Sequence, residues 1–367
     1  MKKRIPALLT AGVMALSLAA CGGGSSSTST ADTATSSAAS ATSAAAEEAA
    51  SAVSEAAEAA GGEISTEGLN MTLIMSSRDE FLSTLEAAAT KAAEELGINL
   101  SVQDANSDMS KEIQYIESAV NSGDDAVIVN VVDADSCEAC IEAAGDIPII
   151  FVNRPPSDPY MVADYDNAAV VASNEDTSGY YQGEFLANYF QEQGKTDIRY
   201  ILLSGQLGNY ATTHRTESVI KGMEENGLTV TAATADLVAD WDRATAMDMI
   251  APVLTTEEYD CIIGNNDAMA LGAVEAMEAA GLDPSSIPIV GIDCTADGAQ
   301  ALVDGKMAMT VFQDPVGQGK GCLIAAVNML NGQPLNTGTD YELAPETDHV
   351  VWVPFEPVTI DNVEDYM

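Results

Sequence analysis

The sequence predicts an α/β protein of two doubly wound parallel-sheet domains that face each other across a cleft. Three observations carry that expectation. After Leu69, short apolar runs alternate with helix-forming runs almost without interruption, the rhythm of a parallel sheet covered by helices on both faces. Roughly 300 residues lie in that stretch, the length of two ordinary domains rather than one. The rhythm then breaks at RPPSDPY and again at the polar SNEDTSG, Ser173–Gly179, so two series of similar length meet near Ser173.

The first series opens with Met71–Met75 (MTLIM) as a strand, followed by helix Leu82–Leu96, which Gly97 stops. Strand Ile98–Gln103, helix Ser110–Val120, strand Ala126–Val131, helix Asp135–Ala144 and strand Pro148–Asn153 complete it. The second series runs through helix Tyr180–Gln193, strand Ile198–Leu203, helix Thr213–Asn226, strand Thr229–Ala235 and helix Arg243–Leu254. Its centre is IIGNNDAMALGAVEAMEAAG: Cys261–Gly264 is a short apolar strand, and Ala268–Ala280, closed by Gly281, is rich in Ala, Met and Glu. Strand Ile287–Ile292, the stretch Leu302–Gln313 and helix Gly317–Leu330 follow. This last part has to return to one domain and then the other, which makes a three-crossing hinge near Ser173, Gln313 and Pro354. The expected division is 69–173 with about 314–353 for the N-terminal domain, and 174–313 with about 354–367 for the C-terminal one.

Residues 1–20 stand apart. Lys2-Lys3-Arg4 precedes the apolar Ile5–Leu16, too short to span a bilayer, and Leu18-Ala19-Ala20-Cys21 has the form of a lipobox. Cys21 is then the lipidated first residue of the mature chain, anchored outside the cell membrane. Residues 21–68 read as a disordered tether of Ser, Ala, Gly and Glu with nothing to bury; its low-complexity part, Gly22–Gly62, as a coil reaches roughly 35 Å.

The net charge of −43 repels nucleic acid and anionic headgroups, and there is no basic cluster to reverse it locally. Without Cys21, the remaining cysteines (Cys137, Cys140, Cys261, Cys294 and Cys322) are odd in number and scattered, which is no disulfide framework. Cys137-Glu-Ala-Cys140 has metal-ligand spacing but no second pair and no nearby His, and residues three apart on a helix share a face in any case. No cofactor or metal is expected.

In an open parallel sheet, ligands bind beyond the carboxyl ends of the strands. Here those ends carry Asn130, Asn153-Arg154, Asn266, Asp293 and Gln313-Asp314. Each alone reads as a turn former or cap; together they suit an uncharged, polyhydroxylated ligand, because carboxylates accept from hydroxyls, Arg donates, and Asn and Gln do both. In the turn Asn265-Asn266-Asp267, Asp267 is expected to cap the helix, Asn265 to hold the turn, and Asn266 to face the ligand. Aromatic residues make up only 5% of the chain, and Phe81 and Trp241 lie one in each half, placed to hold a pyranose between two ring faces.

These residues, with NNDAMALGAVEAM (Asn265–Met277), SSIPIVGIDCT (Ser285–Thr295), DWDRATAMD (Asp240–Asp248) and DYDNAAVVASNEDTSGYYQG (Asp164–Gly183), resemble the type I periplasmic sugar-binding proteins, most closely their galactose/glucose-binding branch. The resemblance runs from Leu69 to the end of the chain. It implies that Asp79 and Phe81 are the carboxylate and stacking aromatic after the first strand, and that Asn153 and Arg154 bind sugar from the fourth. It further implies that Arg215 and Trp241 do so from the second domain, that Asn266 and Asp293 bind directly, and that Gln313 fills a site of Asn or Gln. Arg215 is expected to be dispensable for stability but not for binding.

The departures from that branch are Met75 where it carries an aromatic, Asn209-Tyr210-Ala211 where it carries His-x-Asp, and FQEQGKTD (Phe190–Asp197), which lacks the oxygen ligands of its calcium loop. The function implied is a monomeric, lipid-anchored binding protein that hands a monosaccharide to the membrane permease of an ABC transporter. A sugar or polyol sensor coupled to a chemoreceptor is the alternative. A sugar-acting enzyme fits poorly, for the chain has two His, no G-x-S-x-G and no P-loop.

Overall fold

The computed structural model describes residues 66–367; the leader, Cys21 and nearly all of the tether lie outside them. The strands are β1 (Asn70–Met75), β2 (Asn99–Asp104), β3 (Ala126–Val129), β4 (Ile149–Val152), β5 (Ala168–Ala172), β6 (Asp197–Ser204), β7 (Thr229–Ala232), β8 (Leu237–Val238), β9 (Cys261–Gly264), β10 (Ile289–Val290), β11 (Thr310–Gln313), β12 (Glu342–Leu343), β13 (Val350–Trp352) and β14 (Phe355–Val358). The α-helices are α1 (Glu80–Leu96), α2 (Met109–Ser122), α3 (Cys137–Ala144), α4 (Glu175–Glu192), α5 (Tyr210–Glu225), α6 (Arg243–Ile250), α7 (Asp267–Ala279), α8 (Ala296–Val303) and α9 (Pro315–Leu330).

Two sheets organise the chain. The first runs β12-β13-β5-β4-β3-β1-β2, parallel except for its edge pair β12/β13. Both of its faces are covered, so its strands are apolar throughout rather than alternating. In β1, Met71, Leu73 and Met75 pack with α1 and α9, whereas Ile74 packs the other way with Ile116 of α2 and Cys140 of α3. The second sheet runs β10-β9-β6-β7, with β8 also on β6, and is parallel. Ile201 and Leu203 of β6 face α7, while Leu202 faces Leu186 of α4 and Val219 of α5.

The antiparallel pair β11/β14 forms a separate two-stranded ribbon where the chain passes between the two halves. β5 lies in the first sheet and leads through Ser173 into α4, which packs on the second. From β11 the chain enters α9 against α1, and it leaves β13 for β14 through Pro354. The chain thus crosses near Ser173, Gln313 and Pro354.

Helix α8 and strand β12 have no counterpart in the sequence reading, and two further features near the first crossing depart from it. AAVVA (β5) is a fully buried strand, passed over because it lies inside a region of turn-forming residues. Helix α4 begins at Glu175, not Tyr180: Asn174 caps it by accepting from Asp176 N, and Glu175 and Asp176 place negative charge at its positive end. The polar stretch Ser173–Gly179, which breaks the rhythm of the sequence, is therefore a helix start. Its close approach to α5 depends on small residues, because a Cβ at Gly179 would sit 2.3 Å from Arg215 O, and one at Gly183 2.4 Å from Val219 O. That contact brings Glu175 to Arg215.

Candidate ligand-binding site

Between the two sheets, at the carboxyl ends of their strands, lies a cavity of about 430 Å³ of empty space, open solvent at its mouth included. Asp79, Phe81, Asn153, Arg154, Arg215, Trp241, Asn266, Asp293 and Gln313 all line it. Asn130 does not. It is fully buried beneath the wall, where its Nδ2 donates to Val152 O (3.1 Å) and Asn153 Oδ1 (3.2 Å) and its Oδ1 accepts from Ser76 Oγ (2.6 Å). The sequence reading extended β3 to Val131, but the strand ends at Val129, and Asn130 turns into the core to serve its neighbour. Met75, at the position where the galactose/glucose branch carries an aromatic, is likewise core.

On the first half, Asp79 caps α1 by accepting from Leu82 N at 2.7 Å and still presents its carboxylate to the cavity. Asn153 is held at φ 66°, a left-handed conformation uncommon for a residue with a side chain. Its Nδ2 donates to Gln318 Oε1 at 3.1 Å, and Gln318 Nε2 donates to Ser173 Oγ at 2.8 Å. Arg154 forms no side-chain hydrogen bond or ion pair among the described residues; burial lowers its pKa, opposed by the charges of Asp79 and Glu112.

On the second half, Arg215 is buried and gives Glu175 two bonds, Nε to Oε2 at 2.6 Å and Nη2 to Oε1 at 2.9 Å. It also donates to Asn265 O (2.8 Å) and Gln313 Oε1 (3.2 Å), and its Nη1 lies 3.6 Å from Asp293 Oδ1. Its guanidinium sits 5.7 Å from the Trp241 ring centre and 5.9 Å from that of Phe355. Burial lifts the Asp293 carboxyl well above the usual carboxylate range; Arg215, already engaged by Glu175, offsets this only in part.

Trp241 lies in a turn at φ 67° before α6, whose cap is Asp242. Its indole lies against Gly205, where a Cβ would fall 2.1 Å from Cζ2. Asn266 caps α7 through Met269 N (3.0 Å) and donates to Trp241 O (3.5 Å). Asp267, expected as that cap, lies one residue into the helix. It is buried, accepts from Thr310 Oγ1 (2.6 Å) and Thr295 N (2.8 Å), and burial pushes its pKa up to about 7. Asn265 holds the neighbouring turn by accepting from Gly205 N at 3.2 Å.

Glu175, Leu82 and Pro155 also line the cavity and were not foreseen, and Asn209 and Ala211, standing where the galactose/glucose branch carries His-x-Asp, complete the lining. For Glu175 the signal was present, an acidic residue directly after an Asn cap. Trp241 Nε1 and Gln313 Nε2 are buried donors that find no protein acceptor among the described residues, although buried polar groups are nearly always bonded. Carboxylates, amides, one guanidinium without an ion-pair partner and two aromatic residues around one cavity form a set suited to hydroxyl groups on an apolar ring.

Residues 71–334 match the family described as periplasmic binding protein domain. The chain belongs to the type I periplasmic sugar-binding proteins. A Rhizobium meliloti protein named for rhizopine binding is 31% identical over 80% of this chain and 87% of its own. The D-galactose/methyl-galactoside-binding periplasmic protein of Haemophilus influenzae is 30% identical over 79% and 88%. Among solved structures, an ABC transporter solute-binding protein from Bacillus halodurans with bound myo-inositol aligns at a TM-score of 0.69. It is 30% identical, covering 82% of this chain and 98% of that one. The kinship to the galactose branch is thus shared with relatives named for other ligands. Members of this sugar-binding family serve transport, and the chain is a binding protein, not an enzyme.

Proposed function

We propose that the chain captures one neutral polyhydroxylated ring, an aldose or a cyclitol such as myo-inositol, and delivers it to an ABC transporter. The observation that carries this reading is the single cavity in which Phe81 of one half and Trp241 of the other accompany Asp79, Asn153, Arg154, Asn266, Asp293 and Gln313. Ring C–H faces pack on the aromatic planes, and the rim hydroxyls find donors and acceptors around them. The relative named for galactose and the neighbour holding myo-inositol support this class of ligand. Residues 69–173 with about 314–353, and 174–313 with about 354–367, act as two bodies that close on the ligand by a hinge motion at the three crossings. Cys21 carries the lipid that keeps the protein at the outer face of the membrane.

A thermal-shift screen of aldoses, cyclitols and linear polyols tests the binding role, because a ligand taken only by the folded state raises the midpoint. Shifts with an aldose or a cyclitol, confirmed by calorimetry, are expected; a flat response across the panel overturns the reading. Cys21→Ser is expected to release the folded body from the membrane fraction. Retention there refutes the anchor.

A further inference from the structure

Beside Arg154 the inner cavity adjoins a second, larger chamber, with about 810 Å³ of empty space counted in the same way. Arg154, Pro155 and Asn209 line both. The outer chamber lies between the loop that follows β3, with Asp133 and Asp135, and the loop from β6 to α5, with Gln206 and Leu207, together with Tyr210 at the start of α5. Where the two meet, the chain carries Asn209-Tyr210-Ala211. Asn209 is occupied in capping α5, its Oδ1 accepting from Ala211 N at 2.9 Å, and Ala211 offers the inner cavity only a methyl group.

The chamber is furnished for contact. The Tyr210 ring is braced on His214, with ring centres 4.0 Å apart, and His214 Nδ1 lies 2.7 Å from Asp176 Oδ1. Asp135 accepts from Ser157 Oγ at 2.7 Å and Asp133 from Asp135 N at 3.0 Å, each bond using one carboxylate oxygen. Leu207 stands 75% exposed at the rim. Acceptor carboxylates, an aromatic plane and one guanidinium without an ion-pair partner suit a second hydroxylated unit; the two carboxylates disfavour an anion.

We propose that the chain takes a two-part neutral ligand. A hydroxylated ring occupies the inner cavity, and a second hydroxylated unit, joined to it through a glycosidic oxygen that passes Arg154 and Asn209, occupies the outer chamber. This rests on the sugar-binding reading of the inner cavity. Arg154 donates to the bridging oxygen or its neighbours, which accounts for a guanidinium left without a carboxylate partner at the shared wall.

Calorimetry on the full chain tests it with single rings (myo-inositol, D-galactose, D-ribose) and their extended forms (galactinol, melibiose, lactose). At least one single ring should bind, and at least one extended form should bind within tenfold of it or tighter. Leu207→Trp and Ala134→Trp, which fill the outer chamber from opposite sides, should weaken the extended ligand at least tenfold and leave the single ring unchanged, with melting points recorded to certify folding. If single rings bind and every extended form is excluded, or if filling the chamber weakens both alike, the outer site falls and the sugar-binding reading stands. If nothing in either set binds, the sugar-binding reading itself fails and takes the inference with it.

Discussion

Arg215 grips Glu175 through two bonds, of 2.6 and 2.9 Å, with both side chains buried at the floor of the cleft. The arginine that the sequence offers as a ligand donor is therefore also the counter-ion of a buried carboxylate, and the expectation that it can be removed without harm to the fold does not survive. Removing one partner of a buried pair strands the other charge, at a cost of about 3–5 kcal/mol.

Arg215→Ala should accordingly lose both ligand affinity and about that much stability in denaturant unfolding. The double variant Arg215→Met/Glu175→Met should recover most of the stability and none of the affinity, since it removes both charges together. An Arg215→Ala protein that unfolds at the parental midpoint would show that the ion pair contributes nothing.

Gly205→Ala should weaken ligand binding by tenfold or more while leaving most of the fold intact, because the added Cβ occupies space now filled by the Trp241 indole. Trp241→Phe should keep more affinity than Trp241→Ala, since Phe retains a stacking plane. Ligand-induced change in tryptophan emission should persist in Trp352→Phe and vanish in Trp241→Phe. Parental affinity in Trp241→Ala would reduce the indole to a packing residue.

Glu112 is fully buried, accepts from Val132 N at 2.8 Å, and is pushed by burial from 4.5 up to about 7. The folded state therefore keeps this proton between those two pH values, whereas the unfolded chain releases it. Stability from this group is complete below pH 4.5, declines as pH rises towards 7, and is level above. Glu112→Gln should unfold later than the parent at pH 8, by at most about 3 kcal/mol, and the advantage should shrink towards pH 4.5. An advantage of the same size at both ends of the range would mean that the carboxyl does not titrate there.

Asn130→Leu should reduce ligand affinity although Asn130 does not touch the cavity, because Asn153 loses the donor that fixes its amide. Leaving Ser76 and Val152 O without their partner should cost about 1–3 kcal/mol of stability. Asn130→Asp should restore neither donor. Unchanged affinity in both variants would show that Asn153 is set by its backbone alone.

Much of the architecture was legible because periodicity reports burial: Cys261–Gly264 was read to the residue, and most helices within a few residues of their ends. What failed was local polar chemistry. Asn, Asp and Ser serve equally as turn formers, caps and ligand contacts: Asn266 both caps α7 and lines the cavity, Asp267 is buried against Thr295 and Thr310, and the polar stretch that reads as a break is the start of α4. Asn130 was misjudged because its whole amide is taken up by Ser76, Val152 O and Asn153 beneath the cavity wall, partners that no local pattern reveals. Glu175 stayed hidden because its partner lies forty positions away on another helix, a distance that only the glycine-mediated approach of α4 to α5 removes.

The amide chain under Asn153 has a direction. Ser76 donates to Asn130, Asn130 to Asn153, Asn153 to Gln318 and Gln318 to Ser173. A backbone carbonyl can only accept, so the bond from Asn130 Nδ2 to Val152 O fixes which way that first amide faces, and every later amide inherits its orientation. Asn153 cannot rotate its amide to suit a guest without breaking bonds on both sides. It presents one fixed N–H and one fixed lone pair, so a bound ring whose neighbouring hydroxyl is inverted would meet the wrong end of the dipole. Were Asn153 to meet a ring hydroxyl, as proposed, stereochemical discrimination at this position would be written into proton placement, set by a peptide oxygen one residue away in the core.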